Sequence, residues 1–563
     1  MRRLLLIFLV VLPIWGISAQ SDDIFIIDCP FGLPDSEAEG QTLDCGVFVT
    51  NEVPDNPNSN EIELTFAILY STGTPEPDPI IYLEGGPGGS ALMGIDLWYN
   101  SPYRANRDII LIDQRGTGYS FPNLTCFELA DDTAEYEDLL QECYTRLTQE
   151  EDVDLSQYNT INNARDIADF AVALDYESYN LFGVSYGTRL AMNVMRDHPE
   201  NIRSVVLDSA YPPVVDAYEE SGINTVRVFE QLFNDCNANT TCSTAYPNLR
   251  ASFYATVDRL NANPTFIDDE FGELTGDDFV NVLFEYFYST SIVPYMPRII
   301  HNANNGDFET FLAVWYGELP PMDEAAEIED FFIDDEVFIF ADEMLFASDV
   351  LDDDTYFALL DEVELLNDGT ATLDSISDII NRYFDLDDAL FLNDLLRDLS
   401  ADEIAQIPAA LFYEDVSDAD GMFNAVECNE EVPFNTVADI EQLDLEFNVP
   451  ESISAIGIFG LEDMQSTCAI WQSGQAPAIE DAAIVSDVPT LVLAGYYDPI
   501  TPPAWGRVAA ETLSNSFFYV FPGVGHAVID GGDCPVSVAG AFLNDPTTAP
   551  DTTCIASMSV RFE

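Results

Sequence analysis

The sequence predicts an α/β protein whose mainly parallel sheet is interrupted by one large helical insertion. Three observations predict it. Short continuous apolar runs alternate with helix-spaced segments from residue 61 to residue 213, the alternation stops after about Tyr211, and it resumes at residue 488 with another continuous apolar run. With 563 residues, 47% of them hydrophobic, the chain can bury a large core.

The chain opens with Arg2 and Arg3, an apolar run from Leu4, and small residues ending at Ala19. This is the layout of a secretory leader, and the run falls short of the roughly 20 residues that a spanning helix needs. Residues 1–19 are therefore expected to be removed and the mature protein to be secreted, extracellular or periplasmic, with no membrane partner and, lacking a cysteine near the cleavage point, no lipid anchor. "IELTFAILY" (62–70) half-alternates as an antiparallel strand should, whereas "IIYLEGG" (80–86) and "RDIILIDQ" (107–114) are continuous runs of the kind buried on both faces of a sheet. "NARDIADFAVALDY" (163–176) places Ile167, Phe170, Ala171 and Leu174 at helical spacing. A strand at "YNLFGVS" (179–185), a helix at "TRLAMNVMRDH" (188–198) and a strand at "RSVVLDSAYPP" (203–213) follow.

Residues 216–449 are acidic and rich in helix-spaced apolar residues, as in "FFIDDEVFIFADEMLF". They read as a cap or lid inserted between two halves of one sheet, because an independent domain there would make the sheet stop and restart without reason. The core then comprises residues 20–215 and 450–563. Its second part carries the strand and loop "VPTLVLAGYYDPITPP" (488–503), the helix "AWGRVAAETL" (504–513) and a last strand "FFYVFPG" (517–523).

The ten cysteines fall into near neighbours: Cys29 with Cys45, Cys126 with Cys143, Cys236 with Cys242, Cys428 with Cys468, and Cys534 with Cys554. Outside the cytosol, five local disulfides are the simplest reading. No CxxC pair exists and His198, His301 and His526 are the only histidines, so neither a metal nor any other cofactor is expected. Formal charge is −84, and all 18 basic residues are arginine. Such a surface repels phosphate backbones and anionic lipid, which argues against nucleic-acid or acidic-membrane partners.

"LFGVSYGTRLA" (181–191) places Ser185 between Gly183 and Gly187, where a buried strand passes into a helix. A sharp turn there exposes the serine oxygen, and the glycines relieve backbone crowding. A serine hydroxyl needs a base. His198 would end the helix after Ser185 and His301 lies in the insertion, but His526 follows the last strand in "FPGVGHAV", at the carboxyl end where α/β sheets place functional groups. Asp498 lies between Ser185 and His526 in the chain, in the loop after a buried strand, and would hold the histidine tautomer. An oxyanion needs two N–H donors. Tyr186, directly after the serine, supplies one, and the Gly-rich loop "YLEGGPGGSAL" (82–92) the other, with Gly86 the first choice and Gly88 the second.

Together "GGPGGSA", "DQRGTGYS", "GVSYGTRLA", "VVLDSAYPP", "YYDPITPP" and "GVGH", in this order, resemble the secreted tripeptidyl aminopeptidase branch of the proline-iminopeptidase-like serine peptidases, within the α/β-hydrolase fold. "VECNE" around Cys428 and "CAIW" at 468–471 resemble the C-terminal region of that branch, and Glu84 stands where the family motif usually begins with His. The resemblance implies an α/β-hydrolase fold and a secreted aminopeptidase acting on a peptide or small acyl substrate through an acyl-enzyme. Glu427 and Glu430, in the region resembling the C-terminal part, are candidates to hold the substrate ammonium. A secreted esterase or amidase would use the same triad, and a catalytically silent binding protein would be expected to have lost a triad member.

Overall fold

The computed structural model describes residues 23–34, 36–130, 134–268, 271–319, 335–348, 351, 353–366, 371–384, 386–397, 399–411 and 417–563. The leader expected at residues 1–19 lies outside the described residues.

Nine strands form one sheet: β1 (Ile24–Ile27), β2 (Leu43–Asn51), β3 (Glu61–Leu69), β4 (Ile80–Leu83), β5 (Ile109–Ile112), β6 (Tyr179–Val184), β7 (Ile202–Asp208), β8 (Thr490–Gly495) and β9 (Ser516–Phe521). Their order is β1-β2-β3-β5-β4-β6-β7-β8-β9. β3 pairs antiparallel with β2 and β5, and every pairing from β5 through β4 to β9 is parallel. Thus the half-alternating run is the antiparallel strand, and the continuous runs are the parallel ones.

Burial explains the difference. Every residue of β4, β5, β6 and β8 is buried, so both faces of these strands must be apolar. One face receives α1 (Thr160–Ala173) and α2 (Tyr186–Asp197), whose Ile167, Phe170, Leu190 and Met195 join Leu83, Ile110, Leu181 and Val205 in a common core. Phe170 lies 5.0 Å from Phe66 and 5.7 Å from Phe48, centroid to centroid. Burying a side chain of this size contributes roughly 1.5–3 kcal/mol. Asn159 starts α1 by accepting the N–H of Asn162 at 3.0 Å.

The insertion leaves the sheet continuous, since Thr490 at the start of β8 lies opposite Val205 in β7. It divides, however, into parts the sequence did not separate. Residues Gly32–Ser36 and Glu324–Asp415 form one compact unit, while the rest of the 216–449 region belongs to the unit that contains the sheet. The smaller unit has its own core, including Val337, Met344, Ile376, Ile380, Leu392 and Ile407. In the larger unit, α3 (Ala217–Ala238) and the helices after it enclose an aromatic core in which Phe229 and Phe253 stack at 4.3 Å. Tyr497 belongs to that core, which ties the insertion to the loop after β8.

The five disulfides join the neighbours expected from spacing. Cys428–Cys468 closes the longest loop, 40 residues, between α4 (Asp420–Glu430) and α5 (Glu451–Trp471). Replacing both cysteines by serine is expected to lower stability by about 2–5 kcal/mol in a denaturant titration, chiefly by releasing the unfolded chain.

Candidate active site

Ser185 stands between β6 and α2 with φ +56° and ψ −126°, a backbone region that non-glycine residues seldom occupy. The glycines around it answer a packing demand. A Cβ at Gly183 would lie 2.3 Å from the Gly187 carbonyl oxygen, and one at Gly187 would lie 2.0 Å from that of Leu83. With those contacts open, the chain reverses within one residue and carries the half-buried serine on the bend. The Ser185 N–H donates to the Asp208 carbonyl at 3.0 Å, and its carbonyl accepts the Thr188 N–H and O–H at 2.9 and 2.6 Å.

Asp498 follows β8 and its side chain is fully buried. One oxygen accepts the N–H groups of Ile500 and Thr501 at 3.1 and 2.8 Å. The other faces His526 Nδ1 at 3.0 Å and accepts the Thr501 hydroxyl at 2.7 Å. Nδ1 therefore keeps its proton toward Asp498, and Nε2 is left to accept one. The Thr501 oxygen also lies 3.1 Å from His526 Nδ1, so this hydroxyl braces acid and imidazole together. Behind Asp498, the half-buried Arg227 donates from its guanidinium to the Asp498 carbonyl.

His526 is held from the other side by its N–H bond to the Tyr288 carbonyl at 2.9 Å, with the Tyr288 ring edge-on at 5.0 Å. Burial pushes the imidazole toward its neutral form, but the Asp498 carboxylate, Asp208 and Asp530 together outweigh this and leave the group above its ordinary value.

The Gly-rich loop lies against the serine: a Cβ at Gly85 would sit 2.9 Å from Ser185 Cβ. Gly86 is exposed at φ +104°, and Gly88 at φ +113° packs against Ala419. Asp113 fastens the loop from below, accepting Ser90 Oγ at 3.0 Å and the Leu92 N–H at 3.1 Å, and burial pushes its carboxyl up to about 7. Tyr186 opens α2, so its N–H has no carbonyl one turn back to bond. Its ring points away into the core, with the hydroxyl 2.8 Å from Thr160 Oγ1. Glu84 folds back onto its neighbours, accepting the Gly85 N–H at 2.8 Å and the Tyr82 hydroxyl at 2.9 Å.

The two acids proposed for the substrate ammonium differ in surroundings. Glu430 accepts the Thr160 N–H and O–H, both at 2.6 Å, and lies 3.6 Å from Arg189 Nε. Glu427 accepts the Tyr218 hydroxyl at 2.9 Å, and burial, aided by the charge of Glu431, pushes its carboxyl up to about 8. His198 caps the far end of α2 and His301 packs beside Tyr246, so both stand apart from this arrangement. Sequence reasoning assigned no role to Thr501, Arg227 or Asp208. Thr501 and Asp208 stand in motifs that were singled out, but nothing in composition or periodicity marks a hydroxyl or acid as a brace.

Two family models match the chain: the alpha/beta hydrolase fold over residues 78–281 and the TAP-like protein over residues 454–554. Among curated proteins, serine protease Hip1 of Mycobacterium tuberculosis is 24% identical over 240 residues, which cover 38% of this chain and 45% of that protein. The tripeptidyl aminopeptidase of Streptomyces lividans is 27% identical over 222 residues, covering 34% and 40%. A probable proline iminopeptidase of Streptomyces coelicolor is 28% identical over 136 residues, covering 24% and 33%. The chain thus spans less than half the length of the curated relatives it matches. The solved structure of proline iminopeptidase from Mycobacterium smegmatis aligns over 89% of this chain and 98% of its own, at a TM-score of 0.35 and 12% identity.

Two outcomes are expected. Asp498→Asn should fold and lose roughly four orders of magnitude in kcat, because the amide no longer enforces the Nδ1–H tautomer. The acid limb of kcat/KM should lie above the ordinary histidine value of about 6.5, activity falling as the pH drops and the raised imidazole takes up its proton. Steady-state rates on a neutral ester across pH check both.

Proposed function

We propose, from the premise that this chain is a serine hydrolase of the α/β-hydrolase family with a TAP-like C-terminal region, that it is a secreted aminopeptidase releasing tripeptides or single residues from free peptide amino termini. The observation that carries this reading is the His526–Asp498 pair at 3.0 Å, which lies with the strained Ser185 turn at the carboxyl end of the parallel strands. The peptidase activities named for the relatives support the substrate class.

In this reading the Ser185 hydroxyl attacks the scissile carbonyl while His526 Nε2 takes its proton. The N–H groups of Tyr186 and Gly86 receive the oxyanion. His526 then returns the proton to the leaving amine, and water releases the acyl group by the reverse path. Asp498 orients the imidazole and stabilises the imidazolium.

Of the two acids, the local partners of Glu427 favour it for holding the substrate ammonium. Arg189 is directed at Glu430 and Glu431, whereas the hydrogen-bond partner of Glu427 is the neutral Tyr218 hydroxyl. A bound ammonium would draw its raised carboxyl back to the charged form. Five disulfides fit an oxidising compartment. Among the described residues, no helix is long and apolar enough to cross a membrane.

The test is hydrolysis of a tripeptide chromogenic amide with a free amino terminus beside its N-acetylated form and a p-nitrophenyl ester. Cleavage of the free-amine amide, lost in Ser185→Ala and losing its preference over the acetylated form in Glu427→Gln, is the expected outcome. Cleavage of the ester with neither amide would make the enzyme an esterase.

A further inference from the structure

The end of β7 touches every segment that carries the proposed triad. The Asp208 carbonyl accepts the N–H of Ser185 at 3.0 Å. Its fully buried carboxylate accepts the Val528 N–H at 2.7 Å on one oxygen and the Ile529 N–H at 2.8 Å on the other, gripping the turn after His526. Ser209 donates its N–H to the Leu493 carbonyl in β8, the strand that leads to Asp498, at 3.0 Å. Its hydroxyl oxygen accepts the Ala527 N–H at 3.1 Å and lies 3.2 Å from an Asp208 oxygen.

We propose that Asp208 and Ser209 are positioning residues that together set the spacing between nucleophile and base. This rests on reading Ser185 and His526 in those roles. One dipeptide is bonded to the nucleophile's own backbone, to the strand of the acid, and to three consecutive N–H groups after the histidine. Sliding of the His526 loop along the sheet edge must break several of these bonds at once. The residue types follow from the demand. Ala527 holds φ +55°, so the N–H groups after it converge on one point, and a carboxylate has two oxygens to meet two of them. Ser209 holds φ +59°, which glycine would adopt without strain, and the bond from Ala527 is what its side chain adds.

The clamp also places charge near the base. His526 is faced by Asp498 from the β8 loop, Asp208 from β7, Asp530 on its own loop, and Glu285 from the helix Gly276–Tyr286. Asp208 itself is faced by Asp530, His526, Tyr82 and Tyr103. Burial pushes the Asp208 carboxyl up to about 7, so above that pH its charge supports the imidazolium, and losing it removes that support.

The experiment measures kcat, KM and the pH profile on a p-nitrophenyl ester, with thermal melts, for Asp208→Asn, Ser209→Gly and Ser185→Ala. In Asp208→Asn, kcat is expected to fall roughly 10- to 100-fold, as displacement of a catalytic group does, with KM within about twofold. The acid limb of kcat/KM should move to lower pH. Ser209→Gly, which relieves the backbone, should keep or raise the melting temperature and still lose kcat, and it carries the test should Asp208→Asn fail to fold. Wild-type kcat in Ser209→Gly would overturn the proposal, whether or not Asp208→Asn folds, while an inactive Ser185→Ala left the nucleophile in place. An active Ser185→Ala would remove the nucleophile assignment, and the clamp with it.

Discussion

The hydrogen bond between His526 and the buried Asp498 carboxylate is the interaction on which the proposed chemistry depends. A buried carboxylate is costly unless paired and fully hydrogen-bonded. Asp498 meets that condition through two backbone N–H groups, the Thr501 hydroxyl and the imidazole. Neighbouring structure serves to hold that arrangement: Arg227 from α3 on the carbonyl of the loop, Tyr288 on the backbone of the histidine, and Tyr497 in the aromatic core of the insertion. The insertion therefore contributes to the geometry of His526 and Asp498.

A second constraint is backbone crowding around the serine. Gly85, Gly183 and Gly187 each lie where a Cβ would enter another residue's atoms. These absences let strand end, helix start and Gly-rich loop converge, at the cost of holding Ser185 at positive φ. The neighbouring bonds to Asp208 and Thr188 retain the turn in that conformation.

Most of the parallel strands were legible because burial on both faces forces continuous apolar runs, and two of these runs place Ser185 and Asp498 at strand ends, whereas His526 follows β9, whose residues are mostly half-buried. The disulfides were legible because their partners are sequence neighbours. β1 and β2 were not singled out: β1 is four residues long with exposed positions, and β2 mixes buried and half-buried residues, so neither makes a strong periodic signal. The division of the insertion was not legible either, because helix-spaced apolar residues report that a face is buried, not against what. For the same reason Glu427 and Glu430 read alike in the chain, whereas Arg189, far from both in sequence, distinguishes them in space.

The central claim is that Ser185 is a nucleophile activated by His526 and Asp498. The most direct measurement is labelling with a serine-directed fluorophosphonate, followed by intact-mass and peptide-mass analysis of the native and denatured protein. The account predicts a single adduct on the peptide that contains Ser185, formed only in the native protein. An unlabelled native protein, or an adduct confined to another serine, would contradict it.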